Sequence, residues 1–122
     1  MRKYQGNRED EMIGDALGTL QGMAVKKTIT KDNCGKENQF WYNNVEKVIP
    51  EATGNQWYAK KDVVGIPGFA QQRDRGTPRV IVLIDGNEPK DVAWFSKHYT
   101  SFEELDAGFF KRGEMWKKAL SQ

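Results

Sequence analysis

The chain of 122 residues is poor in the side chains that most often bind metals or form disulfides. It has one cysteine, Cys34, and one histidine, His98. A single cysteine excludes an internal disulfide, and a structural zinc site needs about four Cys or His ligands. The sequence therefore predicts no metal and no cofactor. It leaves carboxylates, hydroxyl groups or a Cys34–His98 pair as the groups available for catalysis.

Charge of one sign and long apolar runs are also missing. The chain has 19 Lys and Arg against 17 Asp and Glu, a net charge of +2, which disfavours nucleic acid or an anionic membrane as its partner. The longest apolar run, residues 80–84, is too short to span a bilayer, and the charged residues 1–11 contain no apolar signal segment. We therefore expect no signal peptide, a cytoplasmic location on synthesis and, for a phage protein, release by lysis.

The chain does contain enough apolar material for one core, because 38% of its residues are hydrophobic. We predict a single α+β domain over residues 1–122. Asn7 stands before three acidic residues and an apolar helical repeat, which predicts a capped N-terminal helix. This helix carries glycines at intervals of four, which indicate either the close approach of another backbone or of a ligand, or a marginal helix: Gly14, Gly18 and Gly22.

The second half of the chain carries clearer turn signals. Residues 79–84 are almost all aliphatic, and Asp85 and Gly86 follow as a turn, so a short antiparallel sheet or hairpin is predicted around 79–95. The sequence Ser-Phe-Glu-Glu at 101–104 has the pattern of a helix capping box. We therefore predict C-terminal helices over residues 101–120.

The C-terminal stretch resembles the ending of bacterial and phage glucosaminidase domains, which belong to cell-wall hydrolases of the flagellar-muramidase and autolysin type. Residues 94–104 place aromatic, basic and hydroxyl side chains before an acidic pair. Phe109 and Phe110 follow, and residues 116–120 read Trp-Lys-Lys-Ala-Leu. The resemblance implies a hydrolase that acts on peptidoglycan glycan strands.

A second patch, residues 51–68, resembles the catalytic stretch of the same family, in which a Glu is followed by a turn of small residues and then a Gly-Ile loop. The resemblance implies that Glu51 is the general acid. A carboxyl group near apolar side chains keeps its proton near neutral pH and donates it to the leaving glycosidic oxygen. A second carboxylate is expected from Glu88 or Asp85. Sugar rings would then stack on the nearby aromatic side chains: Trp41, Tyr42, Trp57 and Tyr58.

Other interpretations of these residues stay open. Glu51 also fits a solvated loop acid beside Pro50, and the four aromatic residues also fit ordinary core packing. Cys34 and His98 stand in the order of a thiol nucleophile and its base. The arginine-rich loop at 73–79 fits phosphate or carboxylate binding. The alternative function is a non-catalytic phage or mobile-element accessory factor that binds a protein partner.

Overall fold

The regular secondary structure of the described residues is an antiparallel sheet, one long helix and a short 3-10 helix. The computed structural model describes residues 1–35, 38–42, 47–66, 78–98 and 101–114, with the side chains of His98 and of residues 111–114 outside this description. The sheet has four strands in chain order, each antiparallel to its neighbours. The elements are α1 Arg8–Val25, β1 Gln56–Asp62, β2 Arg79–Asp85, β3 Glu88–His98, β4 Ser101–Glu104 and a 3-10 helix Ala107–Glu114.

The predicted N-terminal helix is confirmed as α1. The Asn7 side chain accepts a hydrogen bond from the backbone of Asp10 at 2.8 Å, as an N-cap does. Gly14 lies against the C-terminal 3-10 helix, where an added Cβ atom would stand 3.6 Å from the carbonyl oxygen of Phe109. A Cβ atom at Gly22 would meet no heavy atom within 4 Å. The backbone of the 3-10 helix therefore lies next to Gly14, at a distance of ordinary van der Waals contact that a side chain would tolerate, and no backbone lies close to Gly22.

Strand β2 is apolar on both of its faces, so both faces of the sheet have to be covered. Its residues Val80, Val82 and Ile84 point to the face on which α1 packs. The opposite residue Ile81 belongs to a second cluster on the outer face. The inner core also contains these buried side chains: Ile13, Leu17, Leu20, Trp57, Ala93, Phe95 and Phe109. The outer cluster contains Trp41, Ile49, Tyr58, Ile81 and Trp94.

The predicted hairpin around residues 79–95 is confirmed by the pairing of β2 with β3. Asp85 pairs with Glu88 across the turn. Gly86 occupies a left-handed conformation with φ of 65°, which glycine adopts at no steric cost. The turn signal in the sequence therefore identified the correct connection.

The prediction of C-terminal helices over 101–120 is wrong for the part of that range that the structure describes. Residues Ser101–Glu104 form β4, which pairs with β3. The Phe102 side chain packs on the outer cluster, whereas Glu103 reaches to within 3.6 Å of Arg2. Phe102 and Glu103 thus lie on opposite faces of the sheet. This alternation is the two-residue repeat of a strand, and not the helical repeat that the capping-box pattern predicted.

The predicted α+β fold class is therefore also wrong. The described residues form a mostly β structure with one long helix, a four-stranded antiparallel sheet and a 3-10 turn, and not an α+β domain with several helices. Residues 115–120, the last part of the predicted C-terminal helices, lie outside the described residues. Within the part of the chain that is described, no helix combines the length and apolar character needed to cross a membrane.

Arg2 joins the N-terminus of α1 to the sheet. Its guanidinium group donates to the Asp10 carboxylate at 2.8 and 3.0 Å and to Glu9 at 2.6 Å. It also lies over the Phe95 ring, 5.2 Å from the centroid. The Asp10 side chain is only 2% exposed, and its second oxygen accepts from the backbone of Gln5 at 2.8 Å. This buried carboxylate is therefore fully dependent on partners from the N-terminal arm.

The same cluster sets the protonation of Glu9. Burial alone would raise the pKa of this carboxyl group, but hydrogen bonds and charge from Arg2 and Lys97 bring the pKa below its ordinary value. The Lys97 ammonium group is 3.1 Å from the second Glu9 oxygen. Glu9 is therefore stabilised as an anion in the folded state.

We expect Arg2→Ala to lower the free energy of unfolding by about 3 kcal/mol, because it leaves the buried Asp10 charge without its partner. Chemical denaturation of the two proteins measures this difference. Arg8→Ala is the matched control, since Arg8 is exposed and its loss should cost less than about 0.5 kcal/mol. Equal effects of the two substitutions would contradict a structural role for the Arg2 cluster.

The lowered pKa of Glu9 predicts how stability changes with pH. Its stabilising contribution is fully present above the ordinary pKa of 4.5 and is lost as the pH falls through the lower pKa of the folded state. The free energy of unfolding of wild type and Glu9→Gln, measured from about pH 7 to about pH 3, should therefore converge at the acidic end. A constant difference between the two proteins over the whole range would show that Glu9 is not the titrating group.

Candidate functional site

A groove of about 580 Å³ lies beside β1, the first strand at one edge of the sheet. One wall is the extended segment 39–42, which joins the edge of β1 through two hydrogen bonds. The backbone N–H of Lys60 donates to Gln39 at 2.9 Å, and that of Trp41 donates to Tyr58 at 3.0 Å. The other wall is formed by residues of the segment 47–56. The segments 39–42 and 47–56 therefore form the two walls of the groove.

Glu51 lies in this groove. The segment that carries it is fixed to the sheet, because the Tyr58 hydroxyl donates to the Pro50 carbonyl at 2.6 Å and Ile49 is buried in the outer cluster. Burial raises the pKa of the Tyr58 hydroxyl, so this group stays a donor at neutral pH. On the other side a turn at Gly54 leads into β1, with φ of 62°. The Glu51 side chain itself is exposed to solvent.

Two lysines share the groove with Glu51. Lys31 places its ammonium group 5.4 Å from the centre of the Phe40 ring, within the range of a cation–π contact. Lys47 occupies a left-handed conformation with φ of 49° at the start of the second wall. Neither lysine forms an ion pair with a carboxylate of the described residues. The groove therefore presents two cations and one carboxylate to a ligand.

The four aromatic residues expected to contact a ligand fall into different environments. Tyr42 is 68% exposed and packs edge-on against Phe40, with ring centroids 4.3 Å apart. Trp41 and Tyr58 also line the groove, but they are 9% and 4% exposed and serve mainly the outer cluster. Trp57 is 2% exposed on the opposite, helix-facing side of the sheet and does not line the groove. Tyr42 is therefore the aromatic side chain most open to a ligand.

Neither candidate for a second carboxylate lines this groove. Asp85 and Glu88 face each other across the turn between β2 and β3. Glu88 is exposed and forms an ion pair with Lys90 at 3.6 Å. Glu51 is the one carboxylate among the described residues of the groove wall. This arrangement lacks the facing pair of carboxyl groups that most glycosidases use.

Cys34 occupies a setting unlike that of a nucleophile. Its thiol donates to the carbonyl of Thr30 at 3.0 Å. Burial raises the pKa of the thiol, which lowers the fraction of reactive thiolate. His98 ends β3, and its side chain lies outside the described residues. Among the residues that are described, no three or more His, Cys, Asp or Glu side chains come together as a metal site.

The arginine-rich segment is described only at its end. Residues 73–77 lie outside the description. Arg79 begins β2 and stacks on the outer cluster, with its guanidinium carbon 5.7 Å from the Trp41 ring centre and 5.8 Å from that of Phe102. Arg79 thus contacts Trp41, which lines the groove, but Arg79 does not line the groove itself.

Seven residues that line the groove were not among the site residues predicted from the sequence: Lys31, Phe40, Lys47, Ile49, Ala52, Gly54 and Gln56. Lys31, Phe40 and Lys47 come from separate loops, and no spacing pattern links them to Glu51. The one available signal was the aromatic run at 40–42, which allowed either a helix or a strand. Comparison of the chain with protein-family models, with curated proteins and with solved structures finds no match.

We expect Tyr58→Phe to lower the free energy of unfolding by about 1 kcal/mol, because it removes the hydrogen bond to the Pro50 carbonyl. It should also loosen the wall that carries Glu51, which amide hydrogen exchange of residues 49–54 measures. Tyr4→Phe is the matched control, since no hydrogen bond of the Tyr4 hydroxyl is present among the described residues. Faster exchange in both variants would mean that the Tyr58 hydroxyl does not hold this wall.

Proposed function

We propose that the chain is a carbohydrate-binding domain that holds a segment of the glycan strand of bacterial peptidoglycan in the groove beside β1. The single observation that carries this proposal is the combination of the exposed Tyr42 ring with Glu51, Lys31 and Lys47 in one groove. Sugars bind to such sites through the flat apolar face of an aromatic ring and through hydrogen bonds to polar groups at its edge. The groove volume of about 580 Å³ is that of an ordinary small-ligand pocket.

The resemblance of residues 51–68 and 94–120 to glucosaminidase domains supports peptidoglycan as the glycan. Glu51, the residue to which that resemblance assigns the acid, lies in the groove beside Tyr58. Hydrolysis of the glycan by Glu51 is therefore the second candidate function. Binding has more support than hydrolysis, because Glu51 is exposed and no other carboxylate lines the described part of the groove.

Binding is tested with purified peptidoglycan sacculi in a sedimentation assay. We expect wild type to bind, and Tyr42→Ala to bind about tenfold more weakly because the stacking surface is lost. Val64→Ala is the matched control: Val64 is 62% exposed but lies outside the groove, so its loss of apolar surface should leave binding unchanged. Absence of binding by wild type to sacculi of several wall chemistries overturns the proposed function.

Hydrolysis is tested on the same sacculi by the release of reducing sugar ends. Under the second candidate function, wild type releases them and Glu51→Gln, which keeps the shape of the side chain but cannot donate a proton as an acid, does not. Release that survives Glu51→Gln would remove Glu51 from the role of acid. Binding without any release identifies a non-catalytic domain.

A further inference from the structure

A second, smaller cavity of about 290 Å³ adjoins the groove at its end near the turn between β2 and β3. Lys31 and Gly54 line both cavities. Beyond them the smaller cavity is bordered by Asp32, Asn55 and Gly86. Because the same two residues belong to both walls, the two cavities meet at this point.

Gly54 and Lys31 lie at the boundary between the two cavities. Gly54 contributes no side chain to it, and a Cβ atom added there would meet no heavy atom within 4 Å. Its φ of 62° favours glycine, so the backbone conformation keeps larger residues out of this position. Of the two described residues that line both cavities, Lys31 is therefore the one that places a side chain at their junction.

The backbone next to Lys31 is held in place. The Asn33 side chain accepts a hydrogen bond from the backbone N–H of Thr30, and the Cys34 thiol donates to the Thr30 carbonyl at 3.0 Å. The ammonium group lies over the Phe40 ring at 5.4 Å, and no described carboxylate forms an ion pair with it. A fixed turn thus presents a cation at the junction without a partner to neutralise it.

We infer that the site takes an elongated acidic glycan that lies across both cavities, with Lys31 binding a carboxylate of the ligand at their junction. This inference rests on the proposed function. An ammonium group on an aromatic face forms a stronger hydrogen bond with a carboxylate than with a neutral hydroxyl group. Lys47 adds a second positive charge to the groove, where Glu51 is the one carboxylate of the described wall, whereas Asp32 borders the smaller cavity. The carboxylate of the ligand is therefore expected on the groove side of Lys31.

The test compares two tetrasaccharides by titration calorimetry with the full chain. One alternates N-acetylglucosamine with N-acetylmuramic acid, and the other contains N-acetylglucosamine alone, so the two differ only in the 3-O-lactyl groups, which carry the carboxylates. We expect wild type to bind the acidic tetrasaccharide about three- to tenfold more tightly, and added salt to reduce this preference. Lys31→Met should remove the preference, whereas Lys26→Met, at an exposed position outside both cavities, should keep it.

The second cavity is tested separately by ligand length. Asn55→Ala should weaken binding of the acidic tetrasaccharide about threefold and leave that of the corresponding disaccharide unchanged. Equal affinity of wild type for the acidic and neutral tetrasaccharides overturns the inference and leaves the proposed function standing. A preference that survives Lys31→Met, or an equal effect of Asn55→Ala on both lengths, also overturns it. Failure of both tetrasaccharides to bind overturns the proposed function together with the inference.

Discussion

The apolar character of β2 on both faces is the constraint on which the rest of the structure depends. Val80, Val82 and Ile84 need a cover on one side of the sheet, and Ile81 needs one on the other. A single helix can cover only one face. α1 supplies that cover on one face, and the second face is covered by Trp41 and by Ile49 of the segment 47–56. Residues of the segments 40–42 and 47–56 also line the groove, so the groove forms where the outer face of the sheet is covered.

The same constraint explains why buried and exposed aromatic residues alternate around the site. Trp41 and Tyr58 face the outer cluster and form one of its T-shaped contacts, with ring centroids 6.1 Å apart. Tyr42, one residue further along an extended segment, points away from that cluster and stays in solvent. The chemistry of the groove is thus set by strand periodicity. The side chains that seal the sheet and the side chain open to a ligand are neighbours in sequence.

The features that the sequence predicted correctly are those determined within a few residues. The N-cap at Asn7 and the turn at Gly86 each contain their own physical cause, and α1 and the β2–β3 hairpin followed from them. The C-terminal helix failed because Ser-Phe-Glu-Glu satisfies both a capping box and a strand. Contacts with residues distant in sequence decide between the two. The Phe102 ring packs against the Trp41 ring with centroids 5.9 Å apart, and Glu103 forms an ion pair with Arg2. The positions of Lys31 and Lys47 in the groove depend in the same way on contacts between separate loops.

Both outer strands of the sheet have part of their open edge covered by backbone from elsewhere in the chain. The segment 39–41 forms hydrogen bonds with β1, and Arg2 does so with Glu104 at 2.8 Å and Asp106 at 3.1 Å. Exposed strand edges are the surfaces through which sheet proteins join into fibrils and aggregates. The backbone of residues 39–41 and of Arg2 therefore reduces the length of strand edge that is open to association with another chain. Because the segment 39–42 also forms a wall of the groove, a change that opens the groove would also expose a surface prone to aggregation.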